Sequence, residues 1–317
     1  MKTGKVLFLT ALSAMSLFTT GCNSKAKFNI GICQLANHPA LDAATEGFMD
    51  AVKEALGSEV KFDKQIASGD SGVCSTIVNS FVSKNMDLIM ANATPALQAA
   101  ANATSSIPIL GTSITEYGVA LGIKDFKGVT GINVSGTSDL APLTEQADML
   151  VEVFPNANKV GLLYCSAEAN SLYQVQVVEE ALKAKGKVTE RISFSDSNDL
   201  STTLRAKVSS VDALYIPTDN TCADNASVID AICKEKKLPV FAGEENLCKN
   251  CGAITLSISY YNIGLKTGKM AVDILTKSAD VSKMEIGYDE NPVKKFNKAN
   301  CDFLGITPPA SYKEIEA

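Results

Sequence analysis

The sequence predicts an α/β protein built from two domains, each with a parallel sheet. Short apolar runs typical of buried strands alternate with longer segments of helical periodicity over most of the 317 residues. Such alternation is typical of β-α-β units, in which each crossover helix returns the chain to the end of the sheet where the strands begin. About five units precede residue 134 and about four follow residue 159, too many for one small sheet.

The elements are predicted in order from these runs. The predicted strands are 28–33, 60–66, 87–91, 107–111, 129–133, 159–165, 188–194, 213–217 and 240–242. The predicted helices are 39–56, 72–84, 95–104, 139–154, 171–185, 199–209, 225–236 and 263–277. In the first helix, Leu41, Phe48 and Val52 fall on one face, and Pro39 suits its first turn. The small, polar segment 133–138 is expected to form a hinge between the domains.

The N-terminal segment has the pattern of an export signal. Lys2 and Lys5 precede an uncharged run over 6–18, which as a helix is about 20 Å long, too short for a hydrocarbon core of roughly 30 Å. We therefore predict a signal peptide over residues 1–21. Cys22 directly follows small residues, which resembles the bacterial lipoprotein box, in which the cysteine becomes the lipid-bearing N-terminus. This resemblance implies a lipidated tether over 22–27 and a location on the extracytoplasmic face of the cell membrane.

Composition argues against several classes of protein. A net charge of −6 does not suit nucleic-acid binding, which needs a basic face. His38 is the only histidine, which excludes multi-histidine metal sites and most histidine-based triads. Neither glycine-rich phosphate motif, GxxxxGK[ST] or GxGxxG, is present. We predict a protein that is not an enzyme and that carries neither a metal nor another cofactor.

The cysteines are expected to be free thiols with a packing role. Besides Cys22 they are Cys33, Cys74, Cys165, Cys222, Cys233, Cys248, Cys251 and Cys301. Several end apolar runs or lie at helical spacing, where a thiol behaves as a small hydrophobic group. Only Cys248 and Cys251 are closely spaced, and one CxxC without a nearby histidine is a weak zinc signal. A disulfide or redox role for this pair remains the alternative.

Polar side chains collect directly after the predicted strands, at the sheet edge where parallel α/β proteins bind ligands. The first half offers hydroxyls, amides and helix N-termini, which suit a carboxylate. The second half offers Asp219, Glu244 and Glu245, which suit an ammonium group. This division predicts a zwitterion bound between the domains. Taken singly, each of these residues is also a common helix cap or turn former.

The same stretches carry a family resemblance. They are Gly-Ile-Cys-Gln at 31–34, His-Pro-Ala-Leu-Asp at 38–42, Ala-Thr-Pro-Ala at 93–96, Pro-Thr-Asp-Asn-Thr at 217–221, Pro-Val-Phe-Ala-Gly-Glu at 239–244 and Tyr-Tyr-Asn-Ile-Gly at 260–264. From about residue 28 to 307 the chain resembles the TrpX-like substrate-binding lipoproteins of ABC importers, which bind aromatic amino acids. The resemblance implies the type I periplasmic-binding-protein fold, with two Rossmann-like lobes joined by a three-segment hinge. It assigns 28–133 plus 247–280 to an N-terminal lobe, 138–243 plus 284–310 to a C-terminal lobe, and 311–317 to a tail.

The resemblance also implies a ligand and partners. The ligand would be an amino acid, tryptophan, phenylalanine or tyrosine, trapped between the lobes by hinge closure, and the protein a monomer that serves a membrane permease. The predicted ligand-binding residues are Ser71, Thr94 and Ser113 for the carboxylate, Asp219 and Glu244 for the ammonium, Gln34, Asn170 and Asn220 for further hydrogen bonds, and His38, Tyr117 or Tyr261 beside the ring.

Two other functions fit the same sequence. A sensory lipoprotein would use the same cleft but pass the ligand state to a membrane receptor. A thiol-redox protein would depend on Cys248 and Cys251.

Overall fold

The chain forms two α/β lobes, as predicted. The computed structural model describes residues 26–316, so Cys22 and the predicted signal peptide lie outside the described residues. The first sheet contains β1 (Phe28–Gln34), β2 (Val60–Ile66), β3 (Leu88–Asn92), β4 (Ile109–Ile114) and β5 (Val134–Ser138). Its spatial order is β2-β1-β3-β4-β5, and all four pairings are parallel.

The second sheet is larger and mixed. It contains β6 (Lys159–Cys165), β7 (Val188–Phe194), β8 (Ala213–Ile216), β9 (Val240–Ala242), β10 (Ile254–Ser257), β11 (Val293–Phe296) and β12 (Lys313–Glu314). Its order is β12-β11-β10-β9-β8-β6-β7, and only the β10–β11 pairing is antiparallel among the described strands.

Helices cover both faces of the first sheet and pack on the second. They are α1 (Pro39–Leu56), α2 (Ser71–Ser83), α3 (Thr94–Ala103), α4 (Tyr117–Leu121), α5 (Leu143–Val153), α6 (Ala169–Ala184), α7 (Ser197–Lys207), α8 (Asn220–Asp224), α9 (Ala226–Lys236), α10 (Glu245–Cys251), α11 (Tyr260–Lys277) and α12 (Lys298–Leu304). On β1, Ile32 packs in the cluster that contains Phe48 of α1, and Cys33 packs in the opposite cluster with Phe81 of α2. Burial on both faces explains why the central strands are continuously apolar in sequence.

The helices α1 and α11 pack unusually closely in the first lobe. A Cβ atom added at Gly47 would overlap the backbone oxygen of Tyr261, and one added at Gly264 would overlap the backbone oxygen of Ala44. These glycines therefore allow the two helix backbones to approach each other. The contact holds α11, which follows the second lobe in sequence, against the first lobe.

The chain crosses between the lobes at three places, one of which differs from expectation. We expected the chain to re-enter the first lobe at residue 247, but α10 packs on α9 and β10 pairs with both β9 and β11. The boundary at 247 is therefore wrong, because the return occurs between β10 and α11. The expected tail also contains β12, which pairs with β11.

The last strand of the first sheet lies later than predicted. The sequence placed a strand at 129–133 and a hinge at 133–138, whereas β5 occupies Val134–Ser138 and is fully buried. Gly136 has a positive φ of +139°, and a Cβ atom there would overlap the backbone of Gly111 on β4. The small residues therefore allow close strand packing, and the first crossover follows β5. The third crossover runs beside it, since Gly287 bridges Thr137.

The eight cysteines between residues 26 and 316 are buried free thiols, as expected. Cys248 and Cys251 both lie in α10, where burial raises the pKa of each thiol well above its ordinary value. Within the same range, no helix combines the length and the hydrophobicity needed to cross a membrane.

Candidate functional site

The strand ends of the two sheets face each other across a cleft. On one side His38 Nε2 lies 3.3 Å from Asn220 Oδ1, and near the crossovers Thr115 Oγ1 lies 3.5 Å from Thr218 Oγ1. A cavity of about 210 Å³ is lined by both lobes, including Ser71 from the first and Glu168 from the second. The cleft is therefore where the parallel topology predicts a ligand site.

Three predicted site residues have a buried polar atom without a hydrogen-bond partner among the described residues. They are His38 Nδ1, Ser113 Oγ and Asn170 Oδ1. An unpaired buried polar group costs about 1–3 kcal/mol, so few such atoms occur in a folded protein. The other atoms of this kind are Asn92 Oδ1 at the end of β3, Gln146 Nε2 and Thr255 Oγ1.

Backbone strain occurs at two positions on the first-lobe side of the cleft. Ala93, directly after β3, has φ +84° and ψ 156°, a conformation that is almost restricted to glycine. Ser113, near the end of β4, has φ +56° and lies where the pairing with β5 shifts register. Ala93 turns the chain straight into α3, so Thr94 and the first-turn N–H groups of that helix lie at the strand ends. Strain of this kind concentrates at functional sites.

Glu168 organises the second-lobe side of the cleft. Its carboxylate accepts hydrogen bonds from both the backbone and the side chain of Asn220, at 3.0 and 2.7 Å, and of Thr221, at 2.9 and 2.8 Å. It also accepts one from Asn170 Nδ2 at 3.2 Å. Nδ2 of Asn170 is directed at this acceptor, and its Oδ1 has no partner among the described residues. Glu168 was not selected from the sequence, although its position directly before α6 was a usable signal.

The acidic residues predicted to hold an ammonium group act as helix caps. Asp219 accepts the backbone N–H of Cys165 at 2.7 Å and of Cys222 at 2.8 Å. Glu244 accepts the backbone N–H of Asn246 at 2.7 Å and of Leu247. Burial raises the pKa of both carboxyls to about 7. These contacts match the capping role that the sequence left open, and they occupy the carboxylates with backbone donors.

Gln34 and Tyr117 are held by internal contacts. Gln34 donates to Ala36 O at 2.6 Å and to Asp42 Oδ1 at 2.8 Å, and its oxygen accepts Thr45 Oγ1 at 2.7 Å. It thereby positions the start of α1. Tyr117 is buried in the first-lobe core, where its hydroxyl donates to Thr137 O at 3.2 Å.

The remaining predicted residues differ in exposure. Ser71 is exposed at the first position of α2 and lines the cavity, whereas Thr94 is buried at the first position of α3. Tyr261 is partly exposed, and its hydroxyl donates to Asp50 of α1 at 3.1 Å.

Asp139 joins the crossovers to the cleft and was missed from the sequence. It is buried directly after β5 and accepts the hydroxyl of Thr115 at 3.0 Å and that of Tyr260 at 2.8 Å. Burial raises the pKa of its carboxyl. In the sequence it stands at the start of a predicted helix, where an aspartate is most simply a cap. Within residues 26–316, no group of three or more histidine, cysteine and acidic side chains is arranged to hold a metal ion.

Two α/β lobes that are joined by three crossovers and meet at a cleft define the class of two-lobed solute-binding proteins. The family model for ABC transporter substrate binding proteins matches residues 29–311. This chain belongs to that family, and its architecture is the type I periplasmic-binding-protein fold.

Relatives of known name or structure support the assignment. A tyrosine-binding protein of Clostridioides difficile (strain R20291) is 34% identical over 256 residues, which cover 80% of this chain and 74% of that protein. A domain from Streptococcus pneumoniae crystallised with L-Trp is 29% identical with a TM-score of 0.87, covering 91% of this chain and 100% of that one. A substrate-binding protein with adhesive properties from Clostridium difficile, in a ligand-free, open structure, is 33% identical with a TM-score of 0.69, covering 92% and 99%.

The two lobes of this chain contact each other across the cleft. The TM-score is higher against the L-Trp complex than against the open structure, although sequence identity is slightly lower. Direct contacts across the cleft, such as that between His38 and Asn220, agree with a closed arrangement.

Proposed function

We propose that this chain is the extracytoplasmic receptor of an ABC importer and that its ligand is an aromatic amino acid. The observation that carries the proposal is the set of unpaired, buried atoms on both sides of the cleft: His38 Nδ1, Ser113 Oγ and Asn170 Oδ1. The names of a tyrosine-binding relative and of a structural neighbour crystallised with L-Trp support the ligand class.

The first lobe suits the carboxylate of the amino acid. Ser113 offers a hydroxyl donor, and the first turn of α3, which begins at Thr94, offers backbone N–H groups. A helix N-terminus favours an anion because its free N–H groups and its dipole both carry positive partial charge.

The second lobe suits the ammonium group. Asn170 Oδ1 can only accept a hydrogen bond. It lies beside the Glu168 carboxylate, which accepts a hydrogen bond from Asn170 Nδ2. An ammonium at Asn170 would also lie in the negative field of Glu168. Each lobe thus binds one end of the zwitterion, so the ligand favours closure of the lobes.

Calorimetric titration of the chain without its predicted signal peptide against the twenty amino acids tests this function. We expect an aromatic amino acid to bind more tightly than about 100 μM, or roughly −5.5 kcal/mol. Ser113→Ala should weaken that binding about tenfold, the effect of about 1.4 kcal/mol. Ser83→Ala, on the exposed end of α2, serves as the matched control. Absence of binding by any amino acid at this level would overturn the proposal.

We further propose that Cys22 is lipidated, that it anchors a monomeric receptor on the extracytoplasmic face of the membrane, and that the permease is its partner there. The export pattern before Cys22 supports the anchor. Labelling cells with a fatty-acid analogue should mark the wild-type protein and leave Cys22→Ser unmarked. Equal labelling of both proteins, or of neither, would contradict the anchor without affecting ligand binding.

A further inference from the structure

A chain of hydrogen bonds crosses the cleft from Glu168 through Asn220 to His38. Glu168 Oε2 accepts Asn220 Nδ2 at 2.7 Å, and Asn220 Oδ1 lies 3.3 Å from His38 Nε2. Glu168 and His38 are 5% and 7% exposed, so water has little access to either end of the chain. These hydrogen bonds therefore determine which atoms of Asn220 and His38 donate and which accept.

The direction of each bond in this chain is set by chemistry. An ionised carboxylate only accepts hydrogen bonds, so Asn220 must turn its NH₂ group towards Glu168 and its oxygen towards His38. That oxygen also only accepts, so Nε2 of His38 must carry the proton. In a neutral imidazole the other nitrogen, Nδ1, is then an acceptor.

The resulting acceptor has no partner within residues 26–316. His38 Nδ1 is buried and unpaired, as are Ser113 Oγ and Asn170 Oδ1. On the proposed function, the last two bind the carboxylate and the ammonium of the ligand. His38 Nδ1 is thus left over for the side chain of the ligand, and it requires a hydrogen-bond donor.

We propose that His38 Nδ1 accepts a hydrogen bond from the ring substituent of the ligand, the phenol O–H of tyrosine or the indole N–H of tryptophan. His38 is then a specificity-determining residue, and Glu168 positions it through Asn220. Phenylalanine fills the same space without a donor and leaves the buried nitrogen unpaired, so the site discriminates against it. This inference rests on the proposed function, because it assumes an amino acid in the cleft.

Titration of the wild-type protein with tyrosine, tryptophan and phenylalanine tests the selectivity. We expect tyrosine or tryptophan to bind at least tenfold more tightly than phenylalanine. His38→Phe keeps a ring but removes the acceptor. In this variant the ratio of the affinity for tyrosine or tryptophan to that for phenylalanine should fall to about one third of its wild-type value or less. Equal affinities for all three in the wild type, or an unchanged ratio in the variant, would overturn the role of His38 and leave the proposed function standing. If none of the three binds the wild type, the proposed function itself fails.

The hydrogen-bond chain has a spectroscopic test that does not depend on the His38 variant folding. Because His38 is the only histidine of the chain, ¹⁵N-histidine labelling of the untagged protein gives a single pair of ring signals. In the neutral ring we expect the proton on Nε2 and none on Nδ1, whose signal shifts when tyrosine is added. A proton found on Nδ1 would overturn the proposal.

Glu168→Gln tests the positioning role. A glutamine at this site can donate as well as accept, so Asn220 is free to turn over and His38 loses its fixed tautomer. We expect ¹⁵N signals from both tautomers of the His38 ring, and a smaller ratio of tyrosine affinity to phenylalanine affinity than in the wild type. Glu180→Gln, on the exposed face of α6, which Glu168 directly precedes, is the matched control and should change neither quantity. A wild-type spectrum in Glu168→Gln would show that Glu168 does not position His38.

Discussion

Ala93 stores backbone strain at the edge of the cleft. Its φ of +84° with ψ 156° costs an alanine about 1–3 kcal/mol, and a glycine adopts it freely. We expect Ala93→Gly to raise the free energy of unfolding by about 1 kcal/mol, after glycine's greater chain entropy is subtracted. Urea denaturation measures this. Ala101→Gly, inside α3, should lower stability by about 1 kcal/mol. Similar destabilisation by both variants would contradict the strain.

Two buried carboxyls make stability depend on pH. Burial raises the pKa of Asp219 and Glu244 to about 7, so the folded state favours their protonated forms. Their contribution to the free energy of unfolding is complete below their ordinary pKa values of 3.8 and 4.5, and it is lost as pH rises through 7. We expect the thermal midpoint to fall between pH 5 and pH 8. Glu244→Gln, which stays neutral, should reduce this fall, and an unchanged pH profile would contradict the assignment.

The residue types of the site were easier to predict than their roles. His38, Ser113 and Asn170 were predicted, and each has an unpaired buried atom. Asp219 and Glu244 were chosen by the same reasoning, yet they cap helices. A strand end followed by a helix needs the same side chains for capping as for ligand binding. Only the direction of each side chain in the fold separates the two uses.

At the scale of elements, the contact between α1 and α11 holds the second crossover against the first lobe. A Cβ atom at Gly264 would overlap the backbone of Ala44, so Gly264→Ala forces the helices apart. We expect a loss of about 1–3 kcal/mol in the free energy of unfolding, measured by urea denaturation. Lys269→Ala, exposed on the same helix, should change stability by less than about 0.5 kcal/mol. Equal effects would mean that the close approach is unimportant.

Strand prediction succeeded for most of the strands and failed for β5, β10 and β11. The bounds of β2, β6 and β7 match the predicted 60–66, 159–165 and 188–194. β5 was misplaced because its small, polar residues are buried by close packing between strands, a requirement that becomes visible only in three dimensions. β10 and β11 were not predicted, since each is only four residues long and β11 carries two lysines.

At the scale of the whole molecule, closure and ligand binding should be coupled. In the closed arrangement three cleft atoms lack partners among the described residues, and each costs about 1–3 kcal/mol when buried. Opening of the lobes lets water hydrate these atoms, whereas a bound ligand forms hydrogen bonds with them in the closed form. We expect small-angle X-ray scattering to show a smaller radius of gyration when the bound amino acid is added, and no change with a non-binding one. Identical scattering with and without ligand would contradict this coupling.

The buried thiols make the two lobes chemically distinguishable. Cys33 and Cys74 lie in the first lobe, and the other six described cysteines lie in the second. A thiol-reactive dye can label any of them only after its surroundings open, so the native protein should react slowly. Peptide mapping of the labelled cysteines after a short pulse of dye in mild denaturant would then show which lobe unfolds first. The native cysteines thus report the order of unfolding of the lobes without any engineered labelling site.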